Sequence, residues 1–220
     1  MKRGVKHVRC PTEDFCRLRM ADAHAPAGFS LIEMLCVSAI LLILFVLYWG
    51  PRTRADHQRQ ARLDCQTHLL KIHMAMAIYA NDHAGRFPEL AGAQTAEEAL
   101  DALVPRYTVD TTVFACPGSK DAPLASGESL RKHRISYAYY MGRRATDAQQ
   151  VVMSDEQVNT QAKSAGEFAF SSTGKPPGNN HGKAGGNFLF CDGHTDFTPP
   201  SAPFSLMLTD GIVLLNPNPK

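Results

Sequence analysis

Residues 29–49 constrain this chain more than any other stretch. They read FSLIEMLCVSAILLILFVLYW, 21 residues with a single charge, Glu33. An apolar run of about 20 residues crosses the hydrocarbon core of a bilayer as one helix. Tyr48 and Trp49 close the run, where aromatic side chains suit a membrane interface. Ahead of it, Lys2, Arg3, Lys6, Arg9, Arg17 and Arg19 stand against Glu13, Asp14 and Asp22, a net of +3. The whole chain carries +2, so everything from Phe29 onward sums to −1. The positive-inside bias therefore predicts a single pass with the N-terminus in the cytoplasm, even though Arg52 and Arg54 follow on the far side. A total of +2 implies no nucleic-acid partner.

Two ordinary explanations of the run leave something over. A secretory signal peptide has an apolar core of about 7–15 residues and a small-residue cleavage site. Here the run is longer, and Gly50-Pro51-Arg52-Thr53-Arg54 follows. A plain anchor gives Glu33 no role. A carboxylate at membrane depth costs on the order of 2.5–3.5 kcal/mol on insertion scales, and such residues mark function.

Around that glutamate, Ala27-Gly28-Phe29-Ser30-Leu31-Ile32-Glu33 resembles the processing site of type IV prepilins, among them the pseudopilins of type II secretion. The resemblance implies a cut by prepilin peptidase between Gly28 and Phe29, N-methylation of Phe29, and Glu33 as the acidic fifth residue of the mature chain. In a fibre the new α-amino group and a carboxylate can neutralise each other inside a low-dielectric core. The implied partners are prepilin peptidase, other pilin-like subunits, an inner-membrane assembly platform and the lipid bilayer. The implied location is the inner membrane, with a periplasmic head. The leader is longer than many in that family.

The expected organisation is a leader at 1–28, a transmembrane helix at 29–49, a stalk helix at 50–86, and an α/β head at 87–220 ending in a β-hairpin. The expected class is α+β and pilin-like, a long N-terminal helix packed on a small antiparallel sheet. Pro51 predicts a bend or an end in the helix. Beyond it, Leu69, Ile72, Met76 and Tyr79 recur at steps of 3 or 4, the stripe of an amphipathic helix. Asn81-Asp82, Gly85 and Pro88 predict its stop at about Asn81 or His83. His68 and His73 are five apart, so they do not have the spacing of a helical metal pair. The phrase IYANDHAGRFPEL resembles the stalk of a planctomycete-type group of prepilin-like proteins.

In the head, residues 96–103 predict a short helix, and strands are predicted at 113–117, 135–141 and 151–153. Residues 175–180 (KPPGNN) predict a loop. NFLFCDGHTDF predicts a hairpin around a two-residue Asp192-Gly193 turn. That register sets Cys191 opposite His194, Leu189 opposite Asp196 and Phe188 opposite Phe197. It offers Phe188, Phe190 and Phe197 to the helix. The stretch HGKAGGNFLFCDGH resembles a C-terminal signature of the same group, a histidine nine residues ahead of Asp-Gly. Here ten residues separate His181 from Asp192, so the extra one falls in the glycine loop at 182–186.

Three cysteines, Cys65, Cys116 and Cys191, fall in the stalk and head, and no CxxC occurs. Their pairing is open. Asp155, Asp192, His181 and His194 are the candidate metal ligands. Calcium is the candidate ion, because secretion pseudopilins bind it, yet it takes six to eight oxygens and only Asp155, Asp192 and Asp196 offer them. A Cys191–His181 nucleophile pair lacks an orienting residue. No phosphate loop or G-x-S-x-G appears, so the expected role is structural rather than enzymatic, with no cofactor. The alternative is a membrane-anchored extracytoplasmic binding protein that never polymerises and reads a ligand through residues 181–194.

Overall fold

A computed structural model describes residues 30–49, 54–209 and 211–219. The leader, the Gly28–Phe29 junction and Pro51 lie outside the described residues. The chain divides into two compact units, one either side of Pro51 and Arg52.

In the first unit, α1 spans Leu31–Trp49, with Glu33 in its first turn. Its window Leu31–Tyr48 has a mean hydropathy of 2.7, and none of it is buried. The run has no Gly or Pro to break the helix and no polar face to turn toward water.

In the second unit, α2 spans Arg54–Asp82, ending where the Asn-Asp and glycine signals predicted. Cys65, Leu69, Ile72 and Met76 are wholly buried, at steps of 4, 3 and 4. This stripe lies on a sheet that, among the described residues, has five antiparallel strands in the order β4-β3-β2-β1-β5. They are β1 Tyr137–Met141, β2 Val151–Asp155, β3 Gly186–Phe190, β4 Thr195–Thr198 and β5 Val213–Leu215. A short helix, α3, covers Ala96–Leu100 and tightens into a 3₁₀ turn at Asp101–Leu103, as expected for residues 96–103.

The sheet has cores on both faces. Tyr137, Tyr139, Met153, Leu189 and Cys191 pack with α2. Tyr140, Val151, Phe188, Phe190 and Leu214 pack on the other face, under Phe170, Ala202 and Leu206. One irregularity decides what points where. In β2, Val151 pairs with Phe190 but Met153 pairs with Leu189, so Val152 is an extra residue, a bulge. A bulge resets the alternation of side chains. Val151 therefore faces away from α2, while Met153, and Asp155 after it, face toward α2.

Three expectations are corrected. Residues 113–117 do not form a strand. Thr111–Phe114 is a 3₁₀ turn. Its neighbours bond to Ser136, whose N–H donates to the Phe114 carbonyl and whose Oγ accepts from the Cys116 N–H, so no ladder is needed. The hairpin register is also one residue from the expected one. Asn187 pairs with Phe197, and Phe188 with Asp196. Phe190 and His194 then bracket a three-residue loop, with Gly193 in the left-handed region at φ +94°. A type I turn closed by a left-handed glycine accommodates Asp-Gly as well as the tighter turn does. Slipping one residue exchanges the faces. Leu189 and Cys191, not Phe188 and Phe190, therefore meet α2. Phe197 does face α2, with the Arg62 guanidinium 4.6 Å from its ring centre.

Candidate functional site

The first candidate is the N-terminal segment. Glu33 lies in the first turn of α1, and the large apolar side chains behind it are exposed. Gly28 and Phe29 lie outside the described residues, so their part in this site rests on sequence.

The second candidate lies under α2, where β2 ends and β3 begins. Asp155 is fully buried. Its Oδ2 accepts from the Asn187 N–H at 2.7 Å and the Asn187 side chain at 3.1 Å, and its Oδ1 accepts from Asn180 at 2.9 Å. The Cys65 thiol of α2 donates to Oδ1 at 3.2 Å. His181 Nε2 lies 3.3 Å from Oδ2 and 3.5 Å from the Cys116 sulfur. Cys116 comes from the chain just after the 3₁₀ turn. Its sulfur accepts from the Gly118 N–H at 3.3 Å, while Tyr137 Oη sits 3.4 Å from the Cys65 sulfur. A Cβ on Gly118 would lie 2.6 Å from His181 Nδ1, so only glycine lets the imidazole in. Gly118, Asn180 and His181 form part of the wall of a cleft of about 380 Å³.

The charges follow from these contacts. Burial works to raise the Asp155 carboxyl, but the His181 charge and hydrogen bond and the Asn187 and Asn180 donors bring it below its usual value. Burial likewise opposes charge on His181, yet Asp155 outweighs it and lifts the ring to about 10. Burial, with Cys116 and Asp155 beside it, pushes the Cys65 thiol well up. For Cys116 burial also acts upward, and hydrogen bonds with Cys65 and His181 overcome it. With these groups alone, the site is a carboxylate–imidazolium pair against two sulfurs.

Sequence reasoning proposed Asp155, Asp192, His181 and His194 as one cluster. The structure brings Asp155 and His181 together but puts Asp192 and His194 at the opposite end of β3, in the hairpin loop. There His194 Nδ1 lies 2.5 Å from Asp192 Oδ1, and both side chains are substantially exposed. Asp196 also points to solvent. Asp155 thus stands alone among the three carboxylates once considered for calcium. His181 does not meet Cys191 either; its sulfur partner is Cys116. Cys191 is buried elsewhere, its carbonyl 3.0 Å from His73 Nε2, and burial pushes its thiol up to about 12. Cys36, Cys65, Cys116 and Cys191 are all free thiols.

Cys65 and Cys116 were missed as site residues. Fifty-one positions apart in the chain, they form no spacing motif. The one available signal was Cys65 standing at the head of the Leu69–Ile72–Met76 stripe, where a buried cysteine would face the sheet.

The arrangement is not that of a nucleophile relay. In such a relay the acid holds one ring nitrogen and the thiol sits at the other. Here Cys116 and Asp155 both lie against Nε2.

Among known families, residues 24–48 match the model of the prokaryotic N-terminal methylation motif. That stretch contains Gly28, Phe29 and Glu33 and most of α1, and it indicates a type IV pilin-like protein. With the apolar helix it also indicates membrane anchoring. No curated protein and no solved structure matches the chain.

Proposed function

We propose that this chain is a structural, non-enzymatic pilin-like subunit, a pseudopilin. Prepilin peptidase cuts it between Gly28 and Phe29, Phe29 is methylated, and the mature chain enters a type II secretion pseudopilus or a type IV pilus-like fibre. The N-terminus lies in the cytoplasm and the head in the periplasm. The observation that carries this reading is the methylation motif at 24–48, set directly on a helix whose apolar side chains are exposed on every side. Such a surface is at rest in lipid and can exchange lipid for the same helix of neighbouring subunits. Glu33 then has a purpose, because its cost in lipid falls when a mature α-amino group neutralises it.

Co-expression with a prepilin peptidase tests the first step. The chain should shorten by the 28 leader residues, and Gly28→Glu should leave it full length. A chain that stays uncut beside a peptidase that processes a control prepilin contradicts the proposal. Glu33→Ala tests the second step. Cleavage should persist while recovery of sheared fibres falls. A membrane-anchored binding protein that never polymerises predicts no fibre in either form.

A further inference from the structure

Four side chains converge beneath α2 from four separate parts of the chain: Cys65 from the helix, Cys116 from the turn after Phe114, Asp155 from the end of β2, and His181 from the loop before β3. One donor atom from each lies within 4.8 Å of the other three. We propose that Cys65, Cys116, Asp155 and His181 form a tetrahedral site for zinc(II), structural rather than catalytic. This goes beyond the pilin reading and does not depend on it.

The spacing fits. Zinc holds sulfur at about 2.3 Å and nitrogen or oxygen at about 2.0–2.1 Å, so the edges of such a tetrahedron run roughly 3.3–3.8 Å. Three contacts approach these lengths: 3.2 Å from Cys65 Sγ to Asp155 Oδ1, 3.5 Å from Cys116 Sγ to His181 Nε2, and 3.3 Å from His181 Nε2 to Asp155 Oδ2. With one carboxylate oxygen serving as ligand, the four donor atoms lie within 4.8 Å of one another, so an ion draws the widest-spaced of them closer.

Direction separates a metal site from a hydrogen-bonded core cluster. In a core cluster each polar atom finds its own partner. Here a single ring nitrogen faces Cys116, Asp155 and the Asn187 amide together, while Asn187 Oδ1 is buried with no partner among the described residues. An ion between the four donors gives Nε2 one clear task and leaves the Asn187 amide to Asp155.

The surroundings support negative ligands. The Tyr137 hydroxyl meets Cys65, the Gly118 N–H donates to Cys116, and Asn180 and Asn187 donate three hydrogen bonds to Asp155. Outer donors of this kind hold thiolates and carboxylates in place for a metal. The β2 bulge contributes as well, since it turns Asp155 toward α2.

The donor set names the ion. Two sulfurs, an imidazole and one carboxylate suit zinc, whereas calcium needs six to eight oxygens. Four protein donors leave no open position, which is the mark of a structural site. His181 lies in the wall of the adjoining cleft, so an ion has a path in.

The test uses the full chain in detergent, kept reduced, stripped with a chelator and titrated with cobalt(II). The expected result is one equivalent bound, with the visible bands of tetrahedral cobalt and a thiolate charge-transfer band, both lost when zinc(II) displaces it. Cys65→Ser and Cys116→Ser should each weaken binding by at least about 100-fold, and Asn187→Ala by roughly 10–100-fold. Cys191→Ser should bind as the parent does, which controls for general damage to the fold. The wild-type spectrum decides even if a ligand variant fails to fold. Absence of stoichiometric thiolate-bound cobalt in the reduced parent chain overturns the site. So does binding that survives replacement of both Cys65 and Cys116.

Discussion

Helix α1 leaves Ile40, Leu41, Leu44 and Leu47 between 55% and 74% exposed, whereas α2 buries Cys65, Leu69, Ile72 and Met76 completely. Both helices are long and both carry many apolar residues. They differ in pattern. The apolar residues of α2 recur at helical spacing beside charged ones, so one stripe finds a sheet within its own unit. Those of α1 surround the axis, and no single sheet face can cover a cylinder. An all-round apolar helix needs a medium or a crowd of like helices, and the methylation motif in front of it names the kind of protein in which both are available. What distinguishes the two among the described residues is the cover: the apolar surface of α1 is exposed, and that of α2 is buried under a sheet of its own unit.

The strongest way to break this comparison is to charge α1. Leu41→Arg with Leu44→Arg should cost on the order of 5–7 kcal/mol of insertion. The chain should leave the membrane fraction in a flotation assay. Denaturation of the second unit should be unchanged; a parallel loss there would mean that α1 has a partner inside the chain. The converse change targets the buried cluster served by α2. His181→Ala leaves Asp155 buried and unpaired, which should cost about 3–5 kcal/mol in denaturant unfolding without affecting flotation. Leu69→Ala empties a fully buried position on α2 and should cost about 2–5 kcal/mol by the same measurement. The neighbouring Leu70, 40% exposed, should change stability by no more than about 0.5 kcal/mol when replaced by Ala. The same small effect is expected for His194→Ala, whose contact with Asp192 stands in solvent. Equal effects at His181 and His194 would erase the distinction drawn between the two ends of β3.

Much of this was legible in the sequence, for identifiable reasons. The unbroken apolar run and the periodic α2 stripe are long signals that tertiary contacts do not redirect. The strands expected at 135–141 and 151–153 announced themselves by their aromatic and β-branched residues, and they form at Tyr137–Met141 and Val151–Asp155. The hairpin was legible, but its register was not, since Asp-Gly serves both a two-residue turn and a three-residue loop with glycine left-handed at its end. That one-residue ambiguity reversed the faces of Phe188 and Phe190. The segment at 113–117 looked like a strand by composition, but Ser136 satisfies its backbone before any ladder can. The buried cluster was half legible. Asp155 and His181 stood out as titratable groups near turn signals. Cys65 and Cys116 did not, because the β2 bulge that turns Asp155 toward α2 has no sequence signature and the two sulfurs meet only through the fold.

The central claim is that the chain is a processed, pilin-like membrane subunit, and intact mass tests it most directly. The protein is extracted from the membranes of its own host and weighed whole. The account predicts a chain that begins at Phe29 and carries one added methyl group. A mass that still includes residues 1–28 would contradict it.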